Sequence, residues 1–264
     1  MCGIAGLVTR SGLLEPQELS SIAQAMGRAI AHRGPDASGV WTDGRRMAFS
    51  HQRLSIIDLS SLANQPMTSS CGRWVIAYNG ECYNFAEIRQ RLDAERSIDW
   101  RSRSDTEVVV EALAAWGVSR ALEAFNGMFA FAALDREKNR LYLARDRIGK
   151  KPLYFSITEK ALIFGSELKA LMACDFFPRK VQASAVGEYL RYGYVPGSQA
   201  IFESTEKVSA GSYVVIEFSG EADLSVAERR VYWNAAERFL TIQQQETGSM
   251  NSTSLGTLLG DAVQ

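Results

Sequence analysis

Cys2 carries the most reactive side chain near the start of the sequence, and its position adds a second feature. If Met1 is removed, one residue holds both a thiol and a free α-amine. A thiol must lose its proton before it attacks, and an α-amine with a pKa of about 7.7 to 8.0 is matched to taking that proton near neutral pH. Taken alone, a Cys at position two reads more simply as a small apolar start to a first strand. Three further groups could complete a site. Asn79-Gly80 supplies a side-chain amide and an unhindered backbone N–H, the donors that a developing oxyanion needs, yet Asn-Gly after an apolar run is also the strongest short-range hairpin-turn signal. Arg53 offers a planar fork suited to a carboxylate, although an isolated Arg is more often a solvated strand residue. Asp105, directly after Ser104, reads equally as an anion acceptor and as a first-turn carboxylate at a helix N-terminus.

The composition narrows the class of protein. The chain has 264 residues, a 46% apolar fraction, 22% charged residues and a net charge of -1, the profile of a soluble globular protein with no electrostatic pull toward nucleic acid or a membrane surface. No apolar run reaches the length of a bilayer span and the N-terminus has no signal-peptide pattern, so a cytoplasmic location is expected. The four cysteines, Cys2, Cys71, Cys82 and Cys174, are widely separated and expected to be reduced. With only His32 and His51 available, no metal site is expected; a Cys-His pair is conceivable, and a structural role for both histidines is at least as well supported.

The elements that must position these residues follow from periodicity. Residues 3–8 read as a buried strand. A helix is expected over 16–31, with Pro16 at its start and Leu19, Ile22, Ala23, Met26 and Ile30 on one face. Residues 40–51 form a hairpin turning at Asp43-Gly44. A strand over 74–78 stops at Asn79-Gly80. Asn84 with Glu87, and Ser104 with Glu107, mark two helix starts, the second helix closing at Gly117. Strands at 128–134, 141–145, 153–156 and 161–164 read as one antiparallel meander; short helices at 168–173 and 185–192 and a final strand at 213–218 follow. The sum is an α+β domain of antiparallel sheets covered by helices. Residues 239–254 read as a polar linker, and 255–264 as a helix with an apolar stripe on which the sequence stops.

Several stretches occur together and in order: Met1-Cys2-Gly3-Ile4-Ala5-Gly6, His32-Arg33-Gly34-Pro35-Asp36, His51 to Asp58, Asn79-Gly80-Glu81-Cys82-Tyr83-Asn84, Ser104 to Glu107, Gly127 to Phe131, and Arg145 to Tyr154. From residue 2 to about 235 the chain closely resembles the glutaminase domain of asparagine synthetase, within the N-terminal-nucleophile class of glutamine amidotransferases. The resemblance implies an αββα sandwich of two antiparallel sheets, with a glutaminase domain over 2–238. It implies that Cys2 forms a thioester with glutamine, releasing ammonia, with Asn79 and Gly80 holding the oxyanion. Arg53 is implied as partner of the substrate carboxylate, Asp105 and Glu81 as acceptors for its ammonium, and Leu54, Ser55, Ile56 and Ile57 as backbone contacts. Arg33, Gly34, Pro35 and Asp36 resemble the loop that closes over glutamine. Cys82 departs from the family, which more often has an aliphatic residue there, and reads as a small hydrophobe.

In that family the ammonia passes to a synthetase domain that activates aspartate with ATP and Mg2+, marked by a Ser-Gly-Gly-x-Asp-Ser loop. No such loop occurs in these 264 residues, so no cofactor is expected for the glutaminase half, and 255–264 is expected to begin the synthetase domain of a longer protein. The expected partners are glutamine, that C-terminal domain and a second copy in a homodimer, with no nucleic acid and no membrane. Two alternatives stay open: the glutaminase domain of an amidotransferase with another acceptor, and a non-catalytic docking module of the same fold.

Overall fold

A computed structural model describes residues 1–10, 12–218 and 224–245. Residues 1–232 form one compact unit and the chain from 233 onward a second.

The first unit is built on two six-stranded antiparallel sheets. One sheet contains β1 (Gly3–Thr9), β2 (Ala37–Thr42), β3 (Met47–Arg53), β8 (Tyr154–Ile157), β9 (Ala161–Gly165) and β10 (Thr205–Lys207), in the order β10-β8-β9-β1-β3-β2. The other contains β4 (Met67–Thr68), β5 (Trp74–Cys82), β6 (Gly127–Asp135), β7 (Arg140–Arg145), β11 (Ser212–Glu217) and β12 (Ser225–Val231), in the order β12-β11-β7-β6-β5-β4. Helices α1 (Pro16–Ala29) and α4 (Leu168–Met172) cover the first sheet; α2 (Phe85–Glu95) and α3 (Asp105–Ala124) cover the second, and α5 (Ala183–Tyr192) precedes β10.

Strand periodicity explains the layering. Along β1, Ile4 and Val8 face the second sheet while Ala5 and Leu7 face α1. Along β6, Ala130, Ala132 and Leu134 face the first sheet while Phe129, Phe131 and Ala133 face α2 and α3. Both faces of each central strand are therefore buried, which is why these strands read as continuous apolar runs. The result is the helix–sheet–sheet–helix order that the resemblance implies.

Four local expectations change. The run 128–164 is not one meander: β6 and β7 belong to one sheet and β8 and β9 to the other, so the chain crosses between layers over 146–153. The strand over 213–218 is not final, since β12 pairs with β11 as an exposed edge. Gly117 does interrupt α3, at φ 75°, but helix resumes beyond it to Ala124. Asn84 stands at the start of α2 without capping it, because its side chain accepts from Asn126 N–H at 2.9 Å and donates to the Ala124 carbonyl at 3.0 Å.

In the second unit, α6 (Ala235–Gln245) follows Asn234, whose side chain accepts from Ala236 N–H at 2.9 Å. Residues 239–245, expected to open a linker, are thus helical. The rest of that stretch and the helix expected over 255–264 lie outside the described residues. Among the described residues no helix is long and apolar enough to cross a membrane.

Candidate active site

The register of β1 and β3 places Cys2. Gly3 stands opposite Gln52, so Cys2, one step outward, meets the end of β3. Its Sγ lies 3.4 Å from the Leu54 N–H and 3.6 Å from the Leu54 carbonyl. The Arg33 Nε donates to the Cys2 carbonyl at 2.9 Å, and Arg33 Nη1 to Glu167 at 2.8 Å, which fixes the backbone of this residue. Burial pushes the Cys2 thiol up, while the Leu54 N–H and the chain-terminal ammonium pull it down. With Met1 in place that ammonium belongs to Met1, and the Cys2 nitrogen is an amide with no basicity.

β5 supplies the facing wall, and it runs through Asn79-Gly80 instead of turning there. Gly80 is required by an approach from across the sheet: a Cβ on it would lie 2.4 Å from the Met128 carbonyl oxygen and 2.6 Å from Phe129 Cα. Alternate residues of a strand send their N–H and C=O to the same side. Tyr78 accepts from His51 Nε2 at 3.0 Å and donates to Gln65 Oε1 at 2.7 Å, and Cys82 N–H donates to Asp105 Oδ2 at 2.9 Å. Both lie on the edge of β5 away from β6, so Gly80 N–H, between them, points to that same edge. Beside it, both Asn79 side-chain polar atoms are buried without a hydrogen-bond partner. Two donors are therefore presented together, and among the described residues nothing satisfies the side-chain one.

Charge in the site is likewise unmatched. Buried Arg53 donates through Nη1 to the Ser60 carbonyl at 2.7 Å and to Asn64 Oδ1 at 2.8 Å, and through Nη2 to the Asp58 carbonyl. All three acceptors are neutral, so its fork is held in place without an ion pair among the described residues. At the start of α3, Ser104 caps Glu107 N–H at 3.3 Å, and the adjacent Asp105 is carried into the cleft. Burial, reinforced by the Glu81 carboxylate, raises Asp105 to about 6 against the pull of the Cys82 N–H. His51 is driven the other way by burial, to about 4; it is neutral, donates to the Tyr78 carbonyl, and does not line the cleft. His32 pairs with Glu167 near the surface, so neither histidine serves Cys2.

Cys2, Arg53, Leu54, Ile56, Ile57, Asn79, Gly80, Glu81 and Asp105 line one cleft. Ser55 does not line it, because its N–H is engaged by Asp36 Oδ2 at 2.7 Å. Nor do Arg33, Gly34, Pro35 and Asp36. That segment is fastened to the end of β3: Pro35 bridges to Arg53, Asp36 N–H donates to the Arg53 carbonyl, and Gly34 abuts the Gln52 backbone. Gln65, Tyr78 and Lys151, none of them assigned a role from sequence, also line the cleft. Cys82 is buried and its thiol is pushed up to about 12, in keeping with a small core side chain.

Comparisons with known proteins agree with this geometry. The family described as a glutamine amidotransferase domain matches residues 1–233. A putative glutamine-hydrolyzing asparagine synthetase 2 of Methanocaldococcus jannaschii is 31% identical over 252 residues, covering 88% of this chain and 46% of that protein. Glutamine-hydrolyzing asparagine synthetase 1 of Bacillus subtilis is 32% identical over 221 residues, covering 84% and 34%. The chain thus spans about a third to a half of the length of these curated relatives. A solved glutamine phosphoribosylpyrophosphate amidotransferase from B. subtilis shares the fold, with a TM-score of 0.61 at 18% identity over 88% of this chain and 49% of that one.

Proposed function

This chain belongs to the glutamine amidotransferase domain family, and from that premise we propose that it hydrolyses glutamine to glutamate and ammonia through a thioester on Cys2, once Met1 is removed. The observation that carries the reading is complementarity: the cleft holds an unpaired cation, unpaired carboxylates and unpaired amide donors, which are the counterparts of a free amino acid with a reacting amide. Arg53 takes the α-carboxylate in its fork, and Asp105 with Glu81 takes the α-ammonium. The side-chain amide then reaches Cys2.

The Cys2 α-amine accepts the thiol proton as Sγ attacks the amide carbon. The carbonyl electrons move onto oxygen, where Asn79 Nδ2 and Gly80 N–H hold the negative charge; one such donor is worth about 10²–10³ in rate. The ammonium passes its proton to the leaving nitrogen, the C–N bond breaks, and ammonia departs. Water then attacks the thioester, the amine takes its proton, and cleavage of the C–S bond returns the thiol and releases glutamate.

On its likeness to asparagine synthetases, the ammonia is destined for an aspartate activated with ATP and Mg2+ in a further domain. Ammonia release from glutamine, measured on the chain beginning at Cys2, tests the glutaminase step. Release abolished in Cys2→Ala supports it, and no release from the folded, trimmed wild-type chain contradicts it.

A further inference from the structure

Lys151 is the least expected polar group in the cleft. It lies in the crossing between β7 and β8, it is 4% exposed, and its one hydrogen bond through Nζ is to the Met1 thioether, at 3.0 Å. Buried lysines are ordinarily paired with an anion, and a thioether is a weak acceptor. No carboxylate forms an ion pair with it among the described residues; Asp146, its near neighbour in sequence, spends its oxygens on four backbone N–H groups. The groups whose charge reaches Lys151 are Arg33 from the turn after α1, Asp146 from its own segment, Glu81 from β5 and Cys2 itself. Loss of Met1 removes the thioether and leaves the ammonium facing the new N-terminal residue.

Resting on the glutaminase reading above, we infer that Lys151 is a positioning residue for charge: its ammonium favours the thiolate of Cys2 and the unprotonated form of the Cys2 α-amine. The two effects have one cause. A cation stabilises a nearby anion and repels a nearby cation, so it biases both ionisable groups of Cys2 toward the forms that attack and accept a proton. Arg53 acts on the thiol in the same direction and Asp105 in the opposite one, and Cys2 is in turn among the charges that act on Lys151. Burial lowers Lys151 itself, in line with an ammonium held away from water beside the nucleophile.

The test is alkylation of Cys2 by iodoacetamide as a function of pH, read by mass spectrometry on the Cys2 peptide of the chain beginning at Cys2. This readout requires no glutamine turnover. Lys151→Met is expected to move half-maximal reactivity to higher pH by roughly one unit, and Lys151→Arg to restore it. The acid limb of the glutaminase pH profile moves the same way. A Cys2 profile unmoved in Lys151→Met, or in Lys151→Gln if the Met variant does not fold, overturns the inference. So does an Arg variant shifted as far as the Met variant. If the wild-type chain releases no ammonia while its Cys2 profile still shifts on loss of Lys151, the glutaminase reading fails and this inference stands.

Discussion

Asp146 and Asn79 are both sealed from water, at 0% and 1% exposure, and they sit in opposite states. Each Asp146 oxygen accepts two backbone N–H groups, from Phe129 and Lys151 on one side and Ile148 and Lys150 on the other, at 2.9–3.2 Å. Its neighbour Arg145 donates to the carbonyls of Lys151, Val208 and Gly149. Nothing is left over, and the group serves to tie the crossing between the two sheets. Asn79 has neither polar atom satisfied. A buried polar group left unpaired lowers stability, which fits the oxyanion role proposed for Asn79 better than a structural one.

That contrast can be broken by mutation. Asp146→Ala strands four backbone N–H groups, those of Phe129 and Lys151 buried, and is expected to destabilise the fold by roughly 4 kcal/mol, read as a fall in the denaturation midpoint at constant slope. Asn79→Ala is expected to do the reverse: glutaminase kcat falls by about 10²–10³, while the denaturation midpoint stays level or rises. A destabilised Asn79→Ala would erase the distinction between the two clusters.

Arg53→Lys sharpens it within the site. The ammonium keeps the charge and loses the fork held by Ser60, Asn64 and Asp58, so KM for glutamine is expected to rise on the order of tenfold with a smaller change in kcat.

The smallest effect is a pH dependence with two opposite signs. Asp105 titrates near 6, above its ordinary value, so the native state holds its proton more tightly than the unfolded chain. Stability from this group therefore increases as pH falls from above 6 toward 4. In the proposed site the carboxylate form of Asp105 takes the glutamine ammonium, so KM is expected to rise over the same window. Asp105→Asn should abolish both trends, and calorimetry together with KM measured across pH 4.5 to 7.5 checks them.

What the sequence made legible follows the same division. Cys2, Arg53, Asn79 and Asp105 stand in runs whose residue types and order carry their chemistry, and the cleft brings all four together. The caps and apolar stripes of α1 and α3 were readable because their causes are local. The causes of the misses are not local. Gly80 looks like a turn residue until β6 is placed against it, and only then is it a strand position that tolerates no side chain. The allocation of β8 and β9 to the other sheet depends on which strands meet β1. β12 escaped because an exposed edge strand of Ser, Val, Ala, Glu and Arg has too few apolar residues to show an alternation. Lys151 lies in a run of charged and small residues, and its burial arises from the meeting of the layer crossing with the N-terminus.

The most direct measurement of the central claim is labelling by a diazoketone analogue of glutamine, which alkylates a thiol only where a glutamine site presents it. On the chain beginning at Cys2, mass spectrometry should find one label per chain, on the Cys2 peptide, suppressed by excess glutamine. Stoichiometric label on Cys71, Cys82 or Cys174 instead, or label on Cys2 that glutamine does not suppress, would contradict the account.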